Sequence, residues 1–216
     1  MKLLQLIGLF LVFSTSYSQL YVNEVSQGTG GVPPNEFVEL IVVGTPTCTN
    51  SCFDIRGWIL DDNNGFYGTS GIAAGHLRFS YDPQWECVPY GSIILIYNNS
   101  APYPGIVIDE TDANNDLIYA LPVNSSLLES NSTIPANSTP ISSYTGATYT
   151  QGSGNWNMLA MKNTGDLIQV VSPANLNTSF ASIGWGTGVS GTHYYTPGST
   201  ANLTLYMSNN TDNNPL

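Results

Sequence analysis

No segment of this chain repeats apolar residues at the 3.6-residue period of an amphipathic helix over a useful length. Short runs of β-branched and aromatic residues, bounded by Gly, Pro, Asn and Asp, recur instead. This pattern predicts strands at Leu20–Val25, Glu36–Val43, Asp54–Leu60, His76–Ser80, Ser92–Asn98, Leu117–Leu121, Met158–Met161, Asp166–Val171 and Phe180–Trp185. Many short strands with turn signals between them close into a sandwich or a barrel, so the expected class is all-β. Ser92–Asn98 holds the unbroken apolar run Ile93-Ile94-Leu95-Ile96, which suits burial on both faces. Asp54–Leu60 alternates Ile55, Gly57 and Ile59 against Arg56, Trp58 and Leu60, so both of its faces are largely apolar too. These two are expected at the centre. Turns are expected at Asp61–Gly65, at Val88–Gly91 with Gly91 at positive φ, and at Asn163–Asp166.

The amino terminus sets the expected compartment. Lys2 precedes an apolar stretch from Leu3 to Phe13, and Ser16 and Ser18 then stand at a signal-peptidase spacing before Gln19. Residues 1–18 thus have the layout of a cleaved secretory signal, too short to cross a bilayer, which needs about 20 residues. The expected location is secreted or on the outer cell surface, with no transmembrane segment after cleavage. Charged residues make up only 9% of the chain and the net charge is −11. Beyond Lys2 the strong cations are Arg56, Arg78 and Lys162, so no basic cluster exists to neutralise nucleic-acid phosphates or anionic lipid.

The chain has three cysteines, Cys48, Cys52 and Cys87. An exported chain can hold a disulfide, and Cys48 with Cys52 flank a connection short enough to bridge locally. Spacing alone equally permits either to pair with Cys87. A zinc site is not expected, because the C-x3-C spacing has no second pair. Catalytic patterns are missing: there is no G-x-S-x-G elbow, no HExxH, no P-loop, and no helix after the Gly28–Gly31 loop to bind phosphate. The expectation is that the chain is not an enzyme. The one cofactor worth carrying is calcium, for which Asp109, Asp112, Asn114 and Asp116 offer alternating oxygens, with Asp61 and Asp62 a weaker pair. An EF-hand is excluded, since Leu117 and Val123 stand where its Gly and Glu would be.

Four segments in order carry a family resemblance. Val22-Asn23-Glu24-Val25 followed by Asn35-Glu36-Phe37-Val38-Glu39-Leu40 forms the first, and Asp54-Ile55-Arg56-Gly57-Trp58-Ile59-Leu60-Asp61-Asp62 the second. Val88-Pro89-Tyr90-Gly91 with Ser92–Tyr97 is the third, and Gly165–Val171 with Ile183-Gly184-Trp185-Gly186 the fourth. Together they resemble the lamin tail domain, in particular its exported versions in Bacteroidetes-like bacteria. The resemblance implies an immunoglobulin-like β-sandwich over residues 19–187, with a long loop insertion at about 99–156 rich in Ser, Asn, Thr and Pro. Residues 188–216 would then be a C-terminal extension of a chain that could continue further. Structural roles are expected for Glu24, Glu39, Gly57, Trp58, Asp166 and Trp185. Glu24, Glu36 and Glu39 are expected to accept loop amides or to pair with Arg56. The resemblance implies a non-catalytic module for adhesion, tethering or protein interaction, with an unidentified protein or a surface polysaccharide as partner. The competing expectation is an accessory domain of an extracellular hydrolase or nuclease. Carbohydrate binding through Trp58, Trp85, Trp156 or Trp185 ranks last, because two of these fall in expected core strands.

Overall fold

The computed structural model describes residues 19–27, 36–62, 76–98, 107–130, 150–151, 159, 161, 165–174, 179–186 and 203–207. Its strands are β1 (Gln19–Gln27), β2 (Glu36–Val43), β3 (Cys52–Phe53), β4 (Ile59–Asp62), β5 (His76–Phe79), β6 (Val88–Pro89), β7 (Ile93–Tyr97), β8 (Ile118–Pro122), β9 (Leu128–Ser130), β10 (Thr150–Gln151), β11 (Gly165–Val171), β12 (Ser179–Gly186) and β13 (Leu203–Met207). One sheet has the order β1-β2-β7-β8, and a larger one the order β10-β9-β5-β4-β11-β12-β13. Strands β3 and β6 form a small ribbon of their own. Pairing is antiparallel except for β7 with β8 and β12 with β13.

The two sheets pack face to face because alternate residues on each are apolar and interlock in one core. Val38, Leu40, Val42, Ile94, Ile96 and Leu121 come from the first sheet, and Leu60, Leu77, Phe79, Ile168, Val170 and Ile183 from the second. The fold is the all-β, immunoglobulin-like sandwich expected. Strand β2 has the bounds read from its alternation, and β7 lies between β2 and β8 as its apolar run required.

One expectation is corrected here. Asp54–Leu60 is not one strand, because Gly57 takes φ of +78° and turns the chain between β3 and β4. The Trp58 amide donates to the Ile55 carbonyl at 3.1 Å across that turn, so Ile55 and Trp58 enter the same core instead of lying on opposite faces. The strand expected at Leu117–Leu121 is β8, which completes the first sheet, and the longer stretch around it also supplies β9 and β10 to the second. Leu121, Val123 and Leu128 from this stretch are buried. Residues 203–207 form β13, in parallel register with β12. The signal region 1–18, the turn residues Asn163 and Thr164, and most of the Met158–Met161 strand lie outside the described residues.

Candidate functional site

The corner around Gly57 is structural in its chemistry. A Cβ on Gly57 would meet the Tyr81 hydroxyl at 2.8 Å, and its positive φ strains any other residue. Past this turn Trp58 enters the core, in edge contact with Phe53 at 5.6 Å and Phe180 at 5.3 Å between ring centroids. Phe180 in turn meets Tyr21, so a file of aromatic rings runs from β3 to β1 across the sandwich.

A second aromatic anchor escaped the sequence reading. Pro83–Trp85 forms a 3-10 turn whose first amide, that of Gln84, donates to the Asp82 carboxylate at 2.8 Å. This cap drives Trp85 fully into the core, with its Nε1–H donated to the Leu127 carbonyl at 2.8 Å. Phe79 meets it edge-on at 5.1 Å, and Tyr119 lies on its other side at 5.7 Å. The signal for it was Asp82 directly before Pro83, a helical N-cap with Pro in the first turn. With Trp58 and Trp85 both buried, neither ring can stack on a sugar. Trp156 lies outside the described residues, and Trp185 is described only by its backbone on β12, opposite Asp166 of β11.

The disulfide joins Cys52 to Cys87, and Cys48 is free and exposed. The local Cys48–Cys52 bridge is therefore corrected. Phe53 pairs with Val88 in the β3–β6 ribbon, which carries Cys87 alongside Cys52. Cys48 instead sits on a tight turn closed by Thr47 and Asn50, whose backbones exchange hydrogen bonds.

The carboxylates divide into three groups. Glu36 is buried and accepts from the Asn98 Nδ2 at 3.3 Å and from the Met161 amide at 3.4 Å. The Asn98 side chain also accepts the Leu159 amide and donates to the Leu159 carbonyl, which fastens residues 159–161 to the start of β2. Glu24 and Glu39 stand directly opposite each other on β1 and β2, beside a bulge at Asn23. Asn23 donates to Glu39 at 2.6 Å. Burial and the neighbouring Glu39 hold the Glu24 carboxyl above its ordinary range. The expected pairing of these acids with Arg56 does not form. Arg56 grips Asp54 with two hydrogen bonds, at 2.9 and 2.6 Å, and reaches Glu86 at 3.5 Å. Arg78 pairs with Glu129 across β5 and β9 at 2.7 Å.

In the loop between β7 and β8 the acids serve the backbone. Asp109 accepts the amides of Ala113 at 2.9 Å and of Thr111 and Asn114 at 3.3 Å. These bonds, the Ala113 one foremost, hold its carboxyl below the usual range. Asp112 accepts the Asp116 and Leu117 amides at 2.8 and 3.0 Å, and Asp116 accepts that of Ile118 at 2.9 Å while receiving the Asn114 side chain at 3.1 Å. Local carboxylate-to-amide bonds of this kind stabilise positive φ, which Asp112, Asn115 and Leu117 all adopt. Asp61, expected in a solvated turn, is instead a buried strand residue whose Oδ2 accepts Gln169 Nε2 at 2.8 Å. Among the described residues no group of three or more His, Cys, Asp or Glu is placed to hold a metal ion.

Large apolar side chains are exposed at both ends of this polar loop. Val107 is 78% exposed and Ile108 58%, with Leu117 and Ile118 exposed on its far side. No helix among the described residues is long and apolar enough to cross a membrane. Comparison with protein-family models, with curated proteins and with solved structures found no match.

Proposed function

We propose that this chain is a non-catalytic module, secreted or held at the outer cell surface, that mediates adhesion, tethering or protein interaction on a lamin-tail-like sandwich. One observation carries the reading: Val107, Ile108, Leu117 and Ile118 are presented to solvent around a loop that its own carboxylates hold in shape. Large side chains shown on a fixed loop of a rigid scaffold are the usual layout of a binding surface. Several described carboxylates are engaged within the chain: the buried Glu36 with Met161 and Asp61 with Gln169, and Asp109 and Asp112 with backbone amides of their own loop. The four segments that carry the lamin-tail resemblance fall on β1–β2, on β3 to β4, on β6–β7 and on β11–β12.

The test is binding of the labelled, purified chain to intact cells and to their released surface proteins. Saturable retention that unlabelled chain displaces, and that Val107→Ser with Ile108→Ser weakens, is the expected result. No saturable retention on any fraction overturns the proposal.

A further inference from the structure

The four-stranded sheet turns one face to the core and the other outward, and the outward face is unusually apolar. On β2, Phe37, Glu39, Ile41 and Val43 alternate with the core residues Val38, Leu40 and Val42. On β7, Ile93, Leu95 and Tyr97 alternate with Ile94 and Ile96, and on β8, Ile118, Ala120 and Pro122 alternate with Tyr119 and Leu121. A sheet with one face on a core ordinarily shows polar residues on the other. Among these outward positions Glu39 alone is charged.

Register sorts the face into rows. Leu95 and Ala120 share a row with Glu39, and together with Tyr97 and Phe37 they form a small buried cluster of their own. The neighbouring row is Ile41, Ile93 and Ile118, aligned across three strands. It is open: Ile41 and Ile93 are half-buried, and Ile118 is 45% exposed. Strand spacing makes this row about 10 Å long.

Acids border that row. Its β1 neighbour is Tyr21, and the adjacent row, which runs on to Leu95 and Ala120, begins with Glu24 and Glu39, opposed like charges that destabilise a strand pair. On the β8 side Asp116 comes two residues before Ile118. The described arginines are committed elsewhere, Arg56 to Asp54 and Glu86, Arg78 to Glu129. A second copy of this chain would set acid against acid, and a purely apolar partner would strip water from the Glu24–Glu39 pair without replacing it.

We infer that the Ile41–Ile93–Ile118 row and the Glu24–Glu39 pair form a docking face for an extended segment of another polypeptide that carries Lys or Arg beside apolar side chains. The segment's apolar residues cover the isoleucines, and a cation sits between the two carboxylates. This rests on the interaction-module reading and narrows it to a partner class.

The experiment titrates the purified chain with a fluorescent synthetic peptide of alternating Lys and Val, against Glu–Val and Lys–Ser peptides. The Lys–Val peptide is expected to bind at least about tenfold tighter than either control, and to weaken as salt is raised. Ile118→Ser, and separately Glu24→Gln with Glu39→Gln, should each weaken it about tenfold, while Tyr81→Ser off this face should not. The Gln pair removes a repulsion and keeps an amide oxygen that can accept from Asn23, so it is expected to fold, which a melt checks. Equal binding of the Lys–Ser peptide, no binding of the Lys–Val peptide, or indifference to both variant sets overturns the docking face. If cells still retain the chain in that case, the module reading stands without this face; if nothing retains it, both fall.

Discussion

Around Trp85 the sandwich is held by packed rings, whereas the loop from Asp109 to Ile118 is held by carboxylates that accept its own backbone amides. Trp85 exposes no surface, while most of the loop residues are exposed. Packing of the first kind scales with buried area and tolerates no vacancy. Hydrogen bonds of the second kind exchange water for protein partners and net little each, so they can shape a surface without anchoring the fold. The difference separates what keeps this protein folded from what it can offer to a partner.

The largest effect that could break this contrast is at the packed end. Trp85→Ala is expected to lower stability by about 4 kcal/mol in a urea melt, since a large cavity and an orphaned Leu127 carbonyl would both remain. A loss under about 1 kcal/mol would mean that the rings are not the anchor. Next comes the bridge beside it. Replacing Cys52 and Cys87 by Ser should cost about 3 kcal/mol, because the closed loop spans a sequence separation of 35. Cys48→Ser, on the exposed turn, should leave the midpoint where it is.

Gly57→Ala should cost about 1–2 kcal/mol, from a left-handed backbone and the contact with Tyr81. Adding Tyr81→Ala should recover only the contact, and full recovery would show the backbone to be unstrained.

At the loop the expected effects are smaller and depend on pH. Asp54, held down foremost by its hydrogen bond from Arg56, and Asp109, held down by the Ala113 amide, both have depressed carboxyl groups. Such groups add stability above their unfolded value and lose it as pH falls through the folded one. Stability should therefore decline in acid below the ordinary carboxylate range, and Asp109→Asn should flatten part of that decline in a melt series. Glu24 runs the other way, since its raised carboxyl disfavours the fold once pH rises past it. Glu24→Gln at neutral pH should be neutral or stabilising by about 0.5 kcal/mol, the scale of an opposed like-charge pair. The smallest effect concerns calcium. With Asp109 and Asp112 turned to backbone amides, millimolar calcium is expected to leave the melting midpoint unmoved, and a rise would make this loop a ligand site.

The strands whose chemistry is periodic were legible beforehand. Strand β2 shows alternation, β7 a continuous apolar run, and β11 the same β-branched richness, and each lies where those patterns put it. Legibility failed where a single backbone angle decides. Ile55, Gly57 and Ile59 look like one strand face, yet positive φ at Gly57 leaves no trace in polarity. It failed again at Trp85, whose polar neighbours Gln84 and Glu86 conceal a buried ring. Strand β9 was missed because Leu128-Glu129-Ser130 carries little apolar signal, its place being fixed by pairing with β5 and by the Arg78–Glu129 bridge. The disulfide followed from the β3–β6 register, which no cysteine spacing encodes.

The bond between Glu36 and the Met161 amide joins residues 125 positions apart. Synthesis proceeds from the amino terminus, so the start of β2 receives that amide only when most of the chain exists. Contacts this distant in sequence raise the entropy of closure and slow folding. A chain that stops short of Met161 lacks that partner for Glu36, so this one contact closes late in synthesis even though the strands of the first sheet are already made.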